Sequence, residues 1–216
     1  LSLIYCAFIF LRRKLFQWHL LKTNYFSAPV IVVGNITVGG TGKTPVVIAL
    51  ARFLKEKGWR PGIVSRGYGG KIKHFPYQVH QNSNAREVGD EPLLIVRHTD
   101  CPTVIDPNRS RGVRALLKRA HCNLVISDDG LQHSSLGRNI EIIVVDGERR
   151  FGNNFCLPAG PLREPTSRLN SVDFVISKEN PLRHEFKLSL IPDHFYQLIQ
   201  PKIKKTLDYF HGKTLH

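Results

Sequence analysis

The stretch Val30-Ile31-Val32-Val33-Gly34-Asn35-Ile36-Thr37-Val38-Gly39-Gly40-Thr41-Gly42-Lys43-Thr44 constrains this chain most, because it joins a β-branched apolar run to a glycine-rich turn and then to a helix start. Four apolar residues in a row, bounded by Pro29 and Gly34, are too short for a helix and read as a strand buried on both faces. Downstream, Pro45 suits the first turn of a helix, and Val46, Val47, Leu50, Phe53 and Leu54 recur at helical spacing until Gly58. A turn in this setting can wrap a phosphate in backbone N–H groups at the positive end of a helix dipole. The glycines let the backbone approach closely.

The pattern G-x-x-x-x-G-K-[ST] is met except at its first position, where Thr37 replaces glycine and Gly39 and Gly40 supply the freedom. A glycine-rich hairpin turn before a helix start carrying Lys-Thr is the plainer alternative, but the strand–loop–helix context that the nucleotide motif requires is also present. Thr37, Val38, Gly39, Gly40, Thr41, Gly42, Lys43 and Thr44 are therefore the expected nucleotide-binding residues, with Lys43 on the β and γ phosphates and the Thr44 hydroxyl on Mg²⁺.

A second carboxylate-bearing strand completes such a site. Leu124-Val125-Ile126-Ser127-Asp128-Asp129-Gly130 is an apolar run ending in two acids, and a strand-end Asp is the usual Mg²⁺ partner opposite the loop hydroxyl. A simple Asp-Asp-Gly turn is the alternative. Pro61–Ser65, Pro102–Ile105, Glu141–Asp146 and Ser171–Ser177 read as further strands, and Asn108–Arg119 as a basic helix whose arginines, Arg109 among them, face solvent. Arg66-Gly67-Tyr68-Gly69-Gly70 after the second strand would line the ligand crevice. Gly89-Asp90-Glu91-Pro92 opens a short helix over Leu93–Arg97, with Asp90 as its cap. Alternating strands and helices predict an α/β, P-loop NTPase-like fold with a largely parallel sheet flanked by helices.

Residues 1–28 form a separate element. Leu1–Leu11 is strongly apolar and runs into Arg12-Arg13-Lys14. Eleven residues fall short of the about 20 that span a bilayer. An interfacial helix, with the three basic residues on anionic headgroups, and a helix docked on the core both fit; a truncated membrane span is a third option. The core is expected over 29–180, and Phe186–Leu190 and Phe195–Ile199 read as paired strands opening a smaller region over 181–216.

Composition narrows the partners. With 31 basic against 17 acidic residues the chain carries a formal +14, which favours nucleotides, nucleic acid or an acidic membrane. No aromatic RNA-reading run and no zinc module accompanies the charge, so nucleic acid is not expected. Cys6, Cys101, Cys122 and Cys156 lie far apart, without metal-ligand spacing.

Five ordered motifs resemble the tetraacyldisaccharide 4′-kinases, which phosphorylate the lipid A precursor in Gram-negative bacteria. They are Gly34–Pro45, Ser65-Arg66-Gly67-Tyr68-Gly69, Val88-Gly89-Asp90-Glu91-Pro92, Ser127-Asp128-Asp129-Gly130-Leu131-Gln132-His133 and Leu157-Pro158-Ala159-Gly160-Pro161-Leu162-Arg163-Glu164-Pro165. The resemblance implies transfer of the ATP γ-phosphoryl to the 4′-hydroxyl of a tetraacyldisaccharide 1-phosphate at the cytoplasmic face of the inner membrane. It implies Asp90 as the base, with Lys43 and Asp129 also catalytic, and Thr44, Asp128 and Glu91 around Mg²⁺. Arg66, Tyr68, Gln132, Arg163 and Glu164 are then candidates for acceptor contacts. The family's chains continue further and supply a histidine that works with the base, so this chain is expected to be cut at both ends and to turn over lipid poorly. A membrane-docked GTPase or ATPase switch is the competing class. Its guanine-reading N/T-K-x-D would lie at Ser177-Lys178-Glu179-Asn180, where Asn180 replaces the essential Asp.

Overall fold

The β-branched run at Val30–Val33 belongs to a strand covered on both faces. In the computed structural model, which describes residues 1–191, 194–196, 203–210 and 212, β1 (Val30–Gly34) is buried throughout and lies near the middle of an eight-stranded sheet. Val30 and Val32 point into one core cluster, and Ile31 and Val33 into the other.

The other strands are β2 (Pro61–Ser65), β3 (Tyr77–Val79), β4 (Thr103–Ile105), β5 (Leu124–Asp128), β6 (Ile140–Asp146), β7 (Phe174–Lys178) and β8 (Phe186–Leu188). Their order is β3-β4-β2-β5-β1-β6-β7-β8, and every pairing is parallel except β3 with β4 at the edge. The core is thus the P-loop NTPase-like sheet that the sequence pattern predicts. Register sets Val33 beside Asp128, so the strand that feeds the glycine-rich turn and the strand that ends in the acids finish together.

Helices cover both faces. α2 (Lys43–Glu56) and α4 (Asp90–Thr99) put Val46, Val47, Ala51 and Ile95 on the cluster around Ile31, Ile63 and Ile126. α5 (Arg109–Arg119) puts Val113 and Leu116 on the opposite cluster. There it is joined by α1 (Ser2–Gln17), through Tyr5 and Cys6, while a four-residue α3 (Ala85–Val88) precedes α4. Phe53, expected on the buried face of α2, is 52% exposed beneath the Lys57 ammonium; Ala51 takes the contact with the sheet instead.

Several boundaries differ from the sequence reading, each for a local reason. Asp90 does not cap α4: Gly89 does, at φ +91°, and a side chain there would meet the Tyr68 carbonyl at 2.5 Å. The helix begins at Asp90 itself and runs to Thr99. Ser171–Asp173 is not strand, because a 3₁₀ turn over Thr166–Ser171 occupies the approach and the Asp173 carboxylate accepts from Glu141 N at 2.8 Å. Phe186–Leu188 does not pair with Phe195 and Tyr196, the described part of the expected partner. It extends the main sheet beside β7, held by Glu179 N on Leu188 O at 2.9 Å and by the bidentate Arg150–Glu185 pair at 2.7 and 2.8 Å. β9 (His194–Tyr196) pairs with β10 (Lys204–Thr206), and residues 197–199 of the expected strand lie outside the described residues.

Helix α1 is docked, yet none of its residues is fully buried. Leu3, Ile4, Phe8, Phe10 and Leu11 are 53–84% exposed. Among the described residues no helix is long and apolar enough to cross a membrane. Arg12 and Arg13 do not project outward as the headgroup option would have them: Arg12 donates to Gln132 O at 3.1 Å and Arg13 to Ser171 Oγ at 2.9 Å.

Candidate active site

The turn between β1 and α2 is held from its outer side. Asn35 Nδ2 donates to Gly39 O and to Thr41 Oγ1, both at 3.3 Å, Arg149 Nη2 donates to Gly40 O at 2.7 Å, and Val38 N reaches Pro161 O at 2.8 Å. Gly42 precedes the helix at φ +88°, a conformation that favours glycine. Among the described residues, the backbone N–H groups from Gly39 to Thr44 have no protein acceptor. Six free donors at a helix N-terminus are an anion site.

The acids at the end of β5 sit beside this turn in two different states. Asp129 lies at φ +48° and accepts from Arg163 Nη2 at 2.8 Å, with Lys43 Nζ at 3.7 Å. Those cations outweigh its partial burial and hold its carboxyl below the usual range. Asp128 is 1% exposed; its Oδ2 accepts from Ser65 Oγ at 2.9 Å and its Oδ1 is buried without a partner. Burial first, then the nearby Glu91 and Asp129 carboxylates, push Asp128 up to about 6. An orphaned buried carboxylate oxygen at the end of the strand beside the one that feeds the phosphate turn suits a hard cation that completes its shell with phosphate oxygens and water. Among the described residues no cluster of three His, Cys, Asp or Glu forms an all-protein metal cage.

Arg109 is the residue that sequence reasoning missed. Read as part of a solvated basic face, it is instead 1% exposed, with Nη1 on Asp106 O at 2.7 Å and Nη2 on Asp128 O at 3.2 Å. Burial lowers its pKa to about 10, and it braces the peptide that carries both acids. The signal was present: Arg109, Gly112, Val113 and Leu116 recur at i, i+3, i+4 and i+7, so Arg109 shares the inward face of α5. Asn35, Ser65 and Arg149 were not singled out either, since polar residues near a turn carry no periodic mark.

The remaining candidates divide. Asp90 and Glu91 stand exposed in the first turn of α4, and Arg66 and exposed Tyr68 on the loop against which Gly89 packs. Arg163 bonds Asp129 and the Asn35 side chain, joining the proline-rich loop to the phosphate turn. Gln132 and Glu164 are bound to each other and to their surroundings: Gln132 Nε2 donates to Asn35 O at 3.0 Å and to Glu164 Oε1 at 2.8 Å, and Glu164, 6% exposed, also pairs with Arg168.

This arrangement has close relatives. The sequence model of the family described as tetraacyldisaccharide-1-P 4′-kinase matches residues 1–209. A tetraacyldisaccharide 4′-kinase of Legionella pneumophila (strain Corby) is 52% identical over 184 residues, covering 84% of this chain and 57% of the relative. One from Coxiella burnetii (strain RSA 331) is 48% identical over 215 residues, covering 100% and 63%. The chain therefore spans about three fifths of the length of these curated relatives. A crystal structure of LpxK from Aquifex aeolicus in complex with ATP superposes with a TM-score of 0.81 at 28% identity, over 98% of this chain and 69% of that one. By sequence and by fold, the chain belongs to the tetraacyldisaccharide-1-P 4′-kinase family.

Proposed function

We propose that this chain carries the catalytic core of an ATP-dependent lipid kinase, transferring the γ-phosphoryl group to the 4′-hydroxyl of a tetraacyldisaccharide 1-phosphate, the lipid A precursor. The observation that supports it most is the row of six unpartnered N–H groups from Gly39 to Thr44, set beside Lys43 and the orphaned oxygen of Asp128. The loop amides and Lys43 would bind the β and γ phosphates of ATP, and charge spread over the transferring group is stabilised by such preset donors. Thr44 and Asp128, with Glu91 nearby, would hold Mg²⁺, which when bound neutralises phosphate charge. Asp129 and Arg163 position Lys43 and close the turn from the β5 side. Asp90, at the open start of α4, takes the proton of the sugar hydroxyl. Arg66 and Tyr68 flank it where the acceptor would enter.

On this reading residues 1–28 form the membrane element, residues 29–180 with β8 form the kinase core, and the stretch to 216 begins a second region. The protein would work at the cytoplasmic face of the inner membrane, held there peripherally by the apolar outer face of α1. Substituting Phe8 and Phe10 by Asp should abolish co-flotation with neutral phospholipid vesicles and leave the melting temperature within a few degrees. Undiminished flotation would remove the membrane role from this helix.

The deciding experiment supplies the full-length protein with γ-labelled ATP and either tetraacyldisaccharide 1-phosphate or its 4′-deoxy analogue. Label in the first lipid alone is the expected result. Nucleotide hydrolysis with no labelled lipid would instead favour a membrane-docked switch.

A further inference from the structure

Helix α1 is fastened to the core by few contacts. None of its residues is fully buried. Besides those of Arg12 and Arg13, its side-chain hydrogen bonds among the described residues go to one segment: Ser2 Oγ donates to Cys156 O at 2.7 Å and the Tyr5 hydroxyl to Arg163 O at 3.1 Å. An element tied down this lightly opens locally at low cost. The segment that receives it is itself well anchored, since Arg163 N donates to Ile36 O at 2.7 Å and the Arg163 guanidinium binds Asp129.

Cys6 lies one turn after Ser2 on the same face of the helix, and that register carries its thiol to Cys156. Both belong to one apolar cluster, Cys156 at 3% exposure and Cys6 half-buried against it. Burial, and then a hydrogen bond with the Cys6 thiol, push the Cys156 thiol up to about 12. The other two cysteines are not brought together in this way. Cys101 lies in the cluster on the α2 side of the sheet, and Cys122 packs on the opposite cluster. All four are free thiols.

We propose that Cys6 and Cys156 form an oxidation site, at which a hydroperoxide converts the two thiols into a disulfide that fastens α1 to the loop carrying Arg163. The pair is asymmetric in the manner such chemistry uses. Cys156 is enclosed and keeps its proton, so an oxidant from outside meets Cys6 first. The Cys6 thiolate attacks one peroxide oxygen, the O–O bond breaks, and Cys6 sulfenic acid forms as the other oxygen leaves and takes up the proton that Cys6 gave away. The Cys156 sulfur then attacks the sulfenic sulfur, the S–O bond breaks, and the departing hydroxide leaves as water with the Cys156 proton. Two thiols thereby lose two electrons and two protons to one molecule of peroxide. Because the side chains already touch, the bond closes with little movement. A cross-link between distant points of the chain removes open conformations of the segment it ties, so the oxidation state of this pair sets how firmly the helix is held.

The full-length protein is treated with hydrogen peroxide, denatured in an alkylating agent and digested. It should yield one peptide pair joined through Cys6 and Cys156, with Cys101 and Cys122 alkylated. Amide hydrogen exchange over Ser2–Gln17 should slow about tenfold or more in the oxidised protein and recover after dithiothreitol. Cys6→Ser should abolish the link and the slowing. Cys156→Ser should leave Cys6 as sulfenic or sulfinic acid with exchange as in the reduced protein, and Cys122→Ser should behave as the wild type. Exchange outside α1 in the untreated variants, matching that of the wild type, separates loss of the bond from loss of the fold. Four results overturn the proposal: thiols that stay reduced under peroxide, Cys6 carried to sulfinic acid in the wild type without a link, a link to Cys101 or Cys122 instead, or a linked protein whose α1 amides exchange as before.

Discussion

Asp128→Asn is expected to make the nucleotide-free chain more stable while reducing phosphoryl transfer by about 10³-fold. The first effect follows from burial. The Asp128 carboxyl stands at about 6 in the folded chain against 3.8 for an ordinary aspartate, so between these values the folded chain retains a proton that the unfolded chain has lost. A group raised in this way makes stability fall as pH rises through the window, and the loss is complete above it. About two pH units correspond to roughly 3 kcal/mol at most. Asparagine keeps an acceptor for Ser65 and carries no charge to desolvate. In urea melts the variant's advantage should therefore open between about pH 4 and 6 and stay level to pH 8. Mg²⁺ with ATP should reverse the order, stabilising the wild type and not the variant. A constant difference across the whole range, or a variant less stable at pH 7, would show that Asp128 is not held there at the cost of stability.

Asp90→Asn should lower kcat by about 10²–10⁴-fold, the usual contribution of a positioned base, while KM for ATP changes little. The Asp90 side chain is exposed and makes no hydrogen bond or ion pair among the described residues, so its charge serves the fold only through the N-terminal dipole of α4, worth about 0.3–0.5 kcal/mol at an exposed position. The change in unfolding free energy should accordingly stay within about 0.5 kcal/mol. The measurement is steady-state transfer by the full-length protein, beside a urea melt. More than a tenth of the wild-type kcat would move the base elsewhere; a large loss of stability would mean that the carboxylate serves the fold.

The central sheet was readable because its strands are covered on both faces and must be apolar throughout, as at Val30–Val33 and Leu124–Ile126. The phosphate turn was readable because close backbone approach demands glycines at fixed spacing. Elements outside those constraints left weaker traces. β3 is a three-residue antiparallel edge with only Val79 fully buried, and β8 is short and largely exposed, so neither shows a period. Charge misled in three places for one reason: a guanidinium inside a protein looks in sequence like one in water. Arg109, Arg12 and Arg13 turn inward because backbone carbonyls or hydroxyls wait for them, and those acceptors are brought near only by the fold. Glu164 is likewise held by partners that only the fold brings near, Arg168 and Gln132, beneath the loop that displays Arg163.

Residue 163 belongs to two structures at once. Its carbonyl accepts from the Tyr5 hydroxyl on α1 at 3.1 Å, its N–H reaches Ile36 O at 2.7 Å, and its guanidinium binds Asp129. A single residue thus couples the helix with the greasy outer surface to the turn that faces phosphate. On the membrane reading proposed above, a tilt of the helix would pull on the turn, and the depth at which the helix rests against a surface would also set the height of a bound phosphate above it.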